Sequence, residues 1–281
     1  MSYLAEELEL GADSQNQAAS SIAFLYRELF GRDLAARGGI TRAKEPHVLP
    51  RYAPPGDVDR FLAELRGLPL LASMIIYGAG PRVSEVVDIR VKDLNLTHRE
   101  LMIRAGKGQK DRITVLPDAA ISSIRDQIEA VADQHALDLE AGHGWAHLPG
   151  ALHRKDPEAG WDLAWQFLLP STKLTKDEKT NRWGRRPIHI TSIQRPIKTA
   201  WRRSGVATPI TAHVLRHCFA TEMVRTGCDV RTLQQLMGHN DIRTTMRYLH
   251  FLHRPGLNIE SPFDRLPSQQ RKRLEGGLSG G

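Results

Sequence analysis

The chain is poor in the features that mark secreted, membrane or disulfide-stapled proteins. It has 2 cysteines in 281 residues, Cys218 and Cys228. Both stand in helix-like sequence, so reduced buried thiols are expected rather than a disulfide framework. No apolar run approaches the length of a membrane span. The start, Met1-Ser-Tyr-Leu-Ala-Glu-Glu, is acidic and has no apolar segment of the signal-peptide kind, so a cytosolic protein with no membrane partner is expected. Aromatic residues are scarce at 6%, yet four of the 5 tryptophans (Trp145, Trp161, Trp165, Trp183) fall in one stretch. No internal repeat is visible.

What the chain does have is an apolar fraction of 41%, enough for a substantial core, and a basic balance of 39 Lys+Arg against 32 Asp+Glu, a net charge of +7. The sequence pI of about 9.6 favours a polyanionic partner. Residues 2–31 carry an apolar stripe at helical spacing, Ala19, Ile22, Ala23, Tyr26, Leu29 and Phe30. Residues 35–57 read as a linker, rich in proline and glycine, whose basic residues (Arg37, Arg42, Lys44, Arg51) suit a phosphate backbone. A helix is expected from Asp57, stopped by Gly67 and Pro69, then a buried helix over Leu70–Tyr77 broken by Gly78-Ala-Gly80-Pro81. Residues 101–104 and 112–116 read as strands joined by the hairpin Gly106-Lys107-Gly-Gln-Lys110-Asp111, and a helix of about 118–134 follows. The Trp-rich stretch 141–187 is less regular. Helices return at about 191–204, 212–226, 230–237 and 241–249, with Gly227 and Gly238 as stops and Asp229 as an N-cap.

Arg82, Lys107, His213, Arg216, His239 and Tyr248 read together as a phosphoryl-transfer site. Breaking a phosphodiester needs a nucleophile, cations for the non-bridging oxygens, and groups that move protons on both sides of phosphorus. A tyrosine hydroxyl has a pKa near 10 and needs positive charge or a base beside it. His213 and Arg216 share a helix face near a helix start, where backbone N–H groups also attract phosphate. Arg216 offers a planar fork that matches two phosphate oxygens. Lys107 sits at a glycine-flanked hairpin tip that can approach a ligand closely. His217 reads as a packing residue or as one that supports the site from behind. The spacing of His213, His217, Cys218 and Cys228 fits no common zinc module.

The stretches Tyr77-Gly-Ala-Gly-Pro-Arg82-Val-Ser-Glu85, Gly106-Lys107-Gly-Gln-Lys-Asp-Arg112, His213-Val-Leu-Arg216-His217-Cys-Phe-Ala-Thr221, Leu236-Met-Gly-His239 and Thr244-Thr-Met-Arg-Tyr248 carry a family resemblance. The chain resembles the tyrosine recombinases, or phage-integrase-type recombinases, over about residues 58–266. Within them it is similar to integron integrases through Val91-Lys-Asp-Leu94, Leu152-His-Arg-Lys-Asp-Pro157, Trp165-Gln-Phe and Ser261-Pro-Phe-Asp264. The resemblance implies a mostly α catalytic domain with a small antiparallel β-sheet (an α+β fold) at 58–254, holding an insertion at about 141–187 that forms an extra helix. It also implies a partial helical core-binding domain at 1–36, a basic linker at 37–57, and a C-terminal segment and disordered tail at 255–281 that would reach a neighbouring protomer. The first helices of the core-binding domain are expected to be missing from this chain.

The resemblance further implies that Arg82 and Arg216 clamp the scissile phosphate and His239 hydrogen-bonds it. Lys107 protonates the leaving 5′ oxygen, His213 serves as base or acid on the tyrosine side, and Tyr248 forms a 3′-phosphotyrosine. Glu85 supports the site. No metal or cofactor is called for, because the arginines supply the charge. The partner is DNA at integron-type attachment sites, including folded single strands, bound by a homo-tetramer in the bacterial cytosol at the nucleoid. Arg42, Lys44, Lys110, Arg112, Trp161, Trp165 and Arg185 are the candidate DNA contacts, the tryptophans by stacking on splayed bases, with the filling of a secondary core as their alternative role. The competing readings are a type IB topoisomerase, against which the insertion argues, and a DNA-binding remnant without strand exchange.

Overall fold

The computed structural model describes residues 10–32, 43, 51–104 and 111–249. Contacts divide the chain into two units, Met1–Leu49 and Pro50–Gly281. In the first, helix α1 (Ala12–Phe30) ends at Gly31 in the left-handed conformation. The Asn16 amide holds the backbone of Ala43 in both directions, donating to its oxygen at 3.0 Å and accepting from its nitrogen at 2.9 Å. Of the expected stripe only Ala19 is buried. Leu29 and Phe30 are 68% and 61% exposed.

The second unit is mostly α with two small antiparallel sheets. Helix α2 (Pro55–Ala63) starts before Asp57, because the ring of Pro55 presets the dihedral of a first helical residue. Gly67 and Pro69 do more than stop α2. They open the next helix, α3 (Gly67–Ala79), where a proline in the first turn sacrifices no helical hydrogen bond. Helix α3 buries Leu71, Ala72, Ile75, Ile76 and Ala79 and is the centre of the main core. The short helix α4 (Val83–Val87) follows, with Arg82 as its N-cap.

Strands β1 (Leu94–Asn95), β2 (Glu100–Ile103) and β3 (Arg112–Val115) form a sheet in the order β1-β2-β3, all pairs antiparallel, with Leu101 opposite Thr114 and Ile103 opposite Arg112. The Thr114 hydroxyl donates to the Ala79 oxygen at 2.7 Å and fastens this sheet to the end of α3. Helix α5 (Ile121–Glu140) runs one and a half turns past its expected end, since nothing in Gln134–Glu140 breaks it. Helices α7 (Thr191–Arg203), α8 (Ala212–Arg225), α9 (Val230–Met237) and α10 (Ile242–Met246) lie near their expected positions. Thr211, Asp229 and Asp241 accept from backbone nitrogens at the starts of the last three.

The insertion holds its expected helix only as a single turn. Its only α-helix among the described residues is the one-turn α6 (Leu152–Lys155), and its main element is a hairpin of β4 (Pro170–Lys176) and β5 (Trp183–Pro187). Trp145 is fully buried at its centre, its indole donating to Asp177 Oδ2 at 3.0 Å. Gly184 passes so close to this residue that an added Cβ would stand 1.6 Å from the Trp145 oxygen. Backbone cannot yield as a flexible side chain can. Gly184→Ala is therefore expected to destabilise the protein by about 3 kcal/mol, read as a fall in Tm of roughly 6–12 °C in thermal unfolding. Among the described residues no helix is long and apolar enough to cross a membrane.

Candidate active site

Three separate helix starts and ends converge on one cavity. Arg82 caps α4, His213 and Arg216 stand in the first turns of α8, and His239 follows Gly238 at the end of α9. All four line a cavity of about 810 Å³, with Trp201 of α7 and Thr244 of α10 on its walls. Gly238 has φ of 62°, the left-handed turn that ends α9, and an added Cβ would press the Arg112 guanidinium at 2.8 Å. A glycine is therefore required just where the chain must turn His239 into the cavity.

The arginines are held by a buried carboxylate and by helix-end carbonyls. Glu85 Oε1 accepts from Arg82 Nη1 at 2.9 Å, and both its oxygens accept from Arg112, at 2.9 and 2.7 Å. Arg216 is 4% exposed. It donates to the oxygens of Gly80 and, at 2.6 Å, Met237, with Glu85 Oε2 at 3.9 Å. Burial alone would raise the Glu85 carboxyl, but the hydrogen bonds and charges of Arg112 and Arg82 pull it from 4.5 down to about 2. Burial lowers the Arg216 guanidinium to about 10, which leaves it cationic at neutral pH. Arg82 keeps 40% of its side chain open. The result is one buried anion that orients three cations, two of which face the cavity.

This corrects the expectation for Arg112. The Leu236 oxygen accepts from its Nε at 3.0 Å, and its side chain is only 9% exposed. It is turned inward onto Glu85 rather than outward toward a DNA backbone. Arg185 is likewise turned inward, donating to both oxygens of Asp138 at 2.6 and 2.9 Å and to the oxygens of Ser171 and Thr172. The tryptophans lie against the protein's own groups. Trp161 packs edge-on to Trp145 at 5.4 Å, and the Lys92 ammonium sits 3.2 Å from the Trp165 ring centre. Arg42, Lys44, Lys107 and Lys110 lie outside the described residues.

Tyr248 is 2% exposed, its ring packed with Phe219, Val224, Leu233 and Met237 between α8 and α9. Burial pushes its hydroxyl up to about 12, against the lowering effect of Arg216 and Arg247. That hydroxyl meets His217 Nδ1 at 2.5 Å, and the His217 ring stands edge-on to His213, 4.1 Å between centres. His217 was expected to pack or to support the site from behind, and it touches the Tyr248 hydroxyl itself. Its spacing, four residues after His213 on one helix face, was the available signal. Burial, then the neighbouring His213 and arginines, lowers His217 to about 3, so its ring is neutral. His239 is lowered to about 4 by burial and Arg216, and its Nδ1 meets the Thr245 hydroxyl at 2.9 Å. When Nδ1 accepts that hydroxyl proton, Nε2 carries a hydrogen to donate.

This arrangement of arginines, histidines and tyrosine agrees with what the chain is similar to. The phage integrase family model matches residues 58–254. An integrase/recombinase of Escherichia coli is 36% identical over 267 residues, covering 95% of this chain and 79% of the relative. The tyrosine recombinase XerD of Agrobacterium fabrum is 33% identical over 258 residues, covering 86% of this chain and 71% of the relative. The fold is that of the XerA recombinase (TM-score 0.52, 19% identity, 100% of this chain and 81% of the other). It is shared with the Tn1549 transposon integrase, solved with transposon right end DNA (TM-score 0.57, 16% identity, 99% and 82%). A match across most of the chain, and a cavity built from the residues that carry the resemblance, place this protein in the phage integrase family of tyrosine recombinases, enzymes that break and rejoin DNA.

Proposed function

We propose that the chain is a site-specific recombinase of the integron-integrase type, which cuts and rejoins DNA through a 3′-phosphotyrosine at Tyr248. The observation that carries this is the shared cavity of Arg82, His213, Arg216 and His239, with the Tyr248 hydroxyl one histidine ring behind it. A phosphodiester seated there meets two guanidinium forks and the His239 N–H, so charge that builds on its oxygens is met by fixed donors. Lys107 protonates the leaving 5′ oxygen and His213 works on the tyrosine side. No step calls for a metal. Lys110 and the linker residues Arg42 and Lys44 follow the DNA backbone, and the insertion meets the folded strands of an integron-type site. Four copies act on two sites in the cytosol at the nucleoid, with the segment after Tyr248 passing between copies.

The test is a nicked suicide substrate carrying a folded integron-type site, resolved on a denaturing gel. Wild type is expected to leave a covalent protein–DNA band. Tyr248→Phe should lower that band by at least about 10³-fold while DNA affinity stays within a few-fold. Binding without a wild-type band would favour the remnant reading. A band from Tyr248→Phe would remove Tyr248 as the nucleophile.

A further inference from the structure

We propose that His217 is a catalytic residue of strand cleavage, the group that receives the proton of the Tyr248 hydroxyl as that oxygen attacks phosphorus. The inference rests on Tyr248 being the nucleophile, and it moves the proton acceptance that this reading gave to His213 one ring along, to His217. Three observations carry it. Nδ1 of His217 is the ring nitrogen at the Tyr248 oxygen, at 2.5 Å. The contact lies behind the cavity in the packed seam between α8 and α9, where Tyr248 is 2% exposed, so bulk water is not at hand to take the proton. His213, which lines the cavity, is one ring further from the hydroxyl, stacked edge-on against His217.

The charged side chains around the pair, Arg216 and Arg247, are both cations. His213 and Arg216 from the same helix, Arg247 beside the tyrosine and His239 from the end of α9 face His217. Arg216 and Arg247 face Tyr248, with the Cys218 thiol also near. In the free protein burial, and these groups after it, keep the imidazole neutral, with Nδ1 open as an acceptor. A scissile phosphodiester brings negative charge to Arg82 and Arg216 and makes a nearby imidazolium easier to form. As the Tyr248 Oη–P bond forms and the P–O5′ bond breaks, the tyrosine proton passes to His217 Nδ1, and O5′ takes a proton from the acid on the leaving side. Religation returns both.

The test is single-turnover cleavage of the same suicide substrate by the full chain at several pH values, with Tyr248→Phe and wild type alongside. His217→Ala is expected to cleave about 10²-fold more slowly at neutral pH. Its rate relative to wild type should climb by up to about tenfold per pH unit above neutrality, because an ionised tyrosine needs no acceptor. His217→Asn keeps a polar group at the same place but no base, and should show the same slow, rising profile. It carries the test if His217→Ala unfolds. A constant deficit at every pH, wild-type cleavage by His217→Asn at neutral pH, or failure of both variants to fold would overturn the proposal and leave His217 a structural residue. If wild type forms no adduct, or Tyr248→Phe forms one, the nucleophile assignment fails and takes this inference with it. A normal wild-type and Tyr248→Phe pair beside an unimpaired His217→Ala would overturn the inference alone.

Discussion

Arg216→Lys is expected to slow cleavage of a suicide substrate by about 10²–10³-fold, the loss that follows removal of one preorganised donor set at a developing oxyanion. The reason lies in how the guanidinium is held. One arm donates to the Gly80 oxygen and another to the Met237 oxygen at 2.6 Å, while Glu85 stands at 3.9 Å. These contacts fix the plane of the fork in a site only 4% exposed, before any substrate arrives. A lysine ammonium is a point charge. It can keep the net charge, but it cannot reach two helix-end carbonyls and present two parallel donors to a phosphate. DNA affinity should change only a few-fold, since many contacts share it, so the loss falls on the chemical step. Single-turnover rates with bound substrate, beside a binding isotherm, separate the two. Cleavage within about threefold of wild type would mean that Arg216 is a framework residue and that Arg82 alone meets the phosphate.

Glu85→Gln should lower stability by about 3–5 kcal/mol, because removing one partner of a buried ion network leaves the others uncompensated. Arg112 would lose both of its carboxylate contacts at 9% exposure, and Arg82 and Arg216 would face each other without the anion between them. The same network predicts an acid response. The Glu85 carboxyl is depressed in the folded protein, from 4.5 to about 2. Its contribution is therefore present above about pH 4.5 and is lost as pH falls toward 2, and it is worth about 3 kcal/mol. Thermal unfolding followed from neutral pH downward should show the wild-type advantage over Glu85→Gln shrinking across that window. A gap that does not change with pH would mean that Glu85 is not the anion of the network.

Much of the frame was legible because it rests on local rules. Asp229 caps a helix through its own side chain, and Gly238 ends one in the left-handed conformation. The apolar run from Leu70 to Tyr77 could only be a buried helix of this length. What escaped were pairings across long stretches of chain. Arg112 looked like a surface residue because nothing near it in sequence announces Glu85, 27 positions away. His217 looked like packing or support from behind because its partner Tyr248 lies 31 positions on. The hairpin of Pro170–Pro187 was missed because its strands alternate weakly and owe their order to Trp145 beneath them. The tryptophans read either as stacking platforms for bases or as a secondary core, and the structure packs Trp161 and Trp165 against the small cluster around Trp145. Arg82, His213 and His239 were easier to position because each sits at a helix start or a helix end, where sequence signals are strongest.

The measurement closest to the central claim is the identity of the amino acid joined to DNA. Wild-type protein trapped on a suicide substrate, digested with nuclease and protease, should give one peptide carrying a nucleotide 3′-phosphate on Tyr248. A nucleotide on any other residue, or one joined through its 5′-phosphate, would contradict the account.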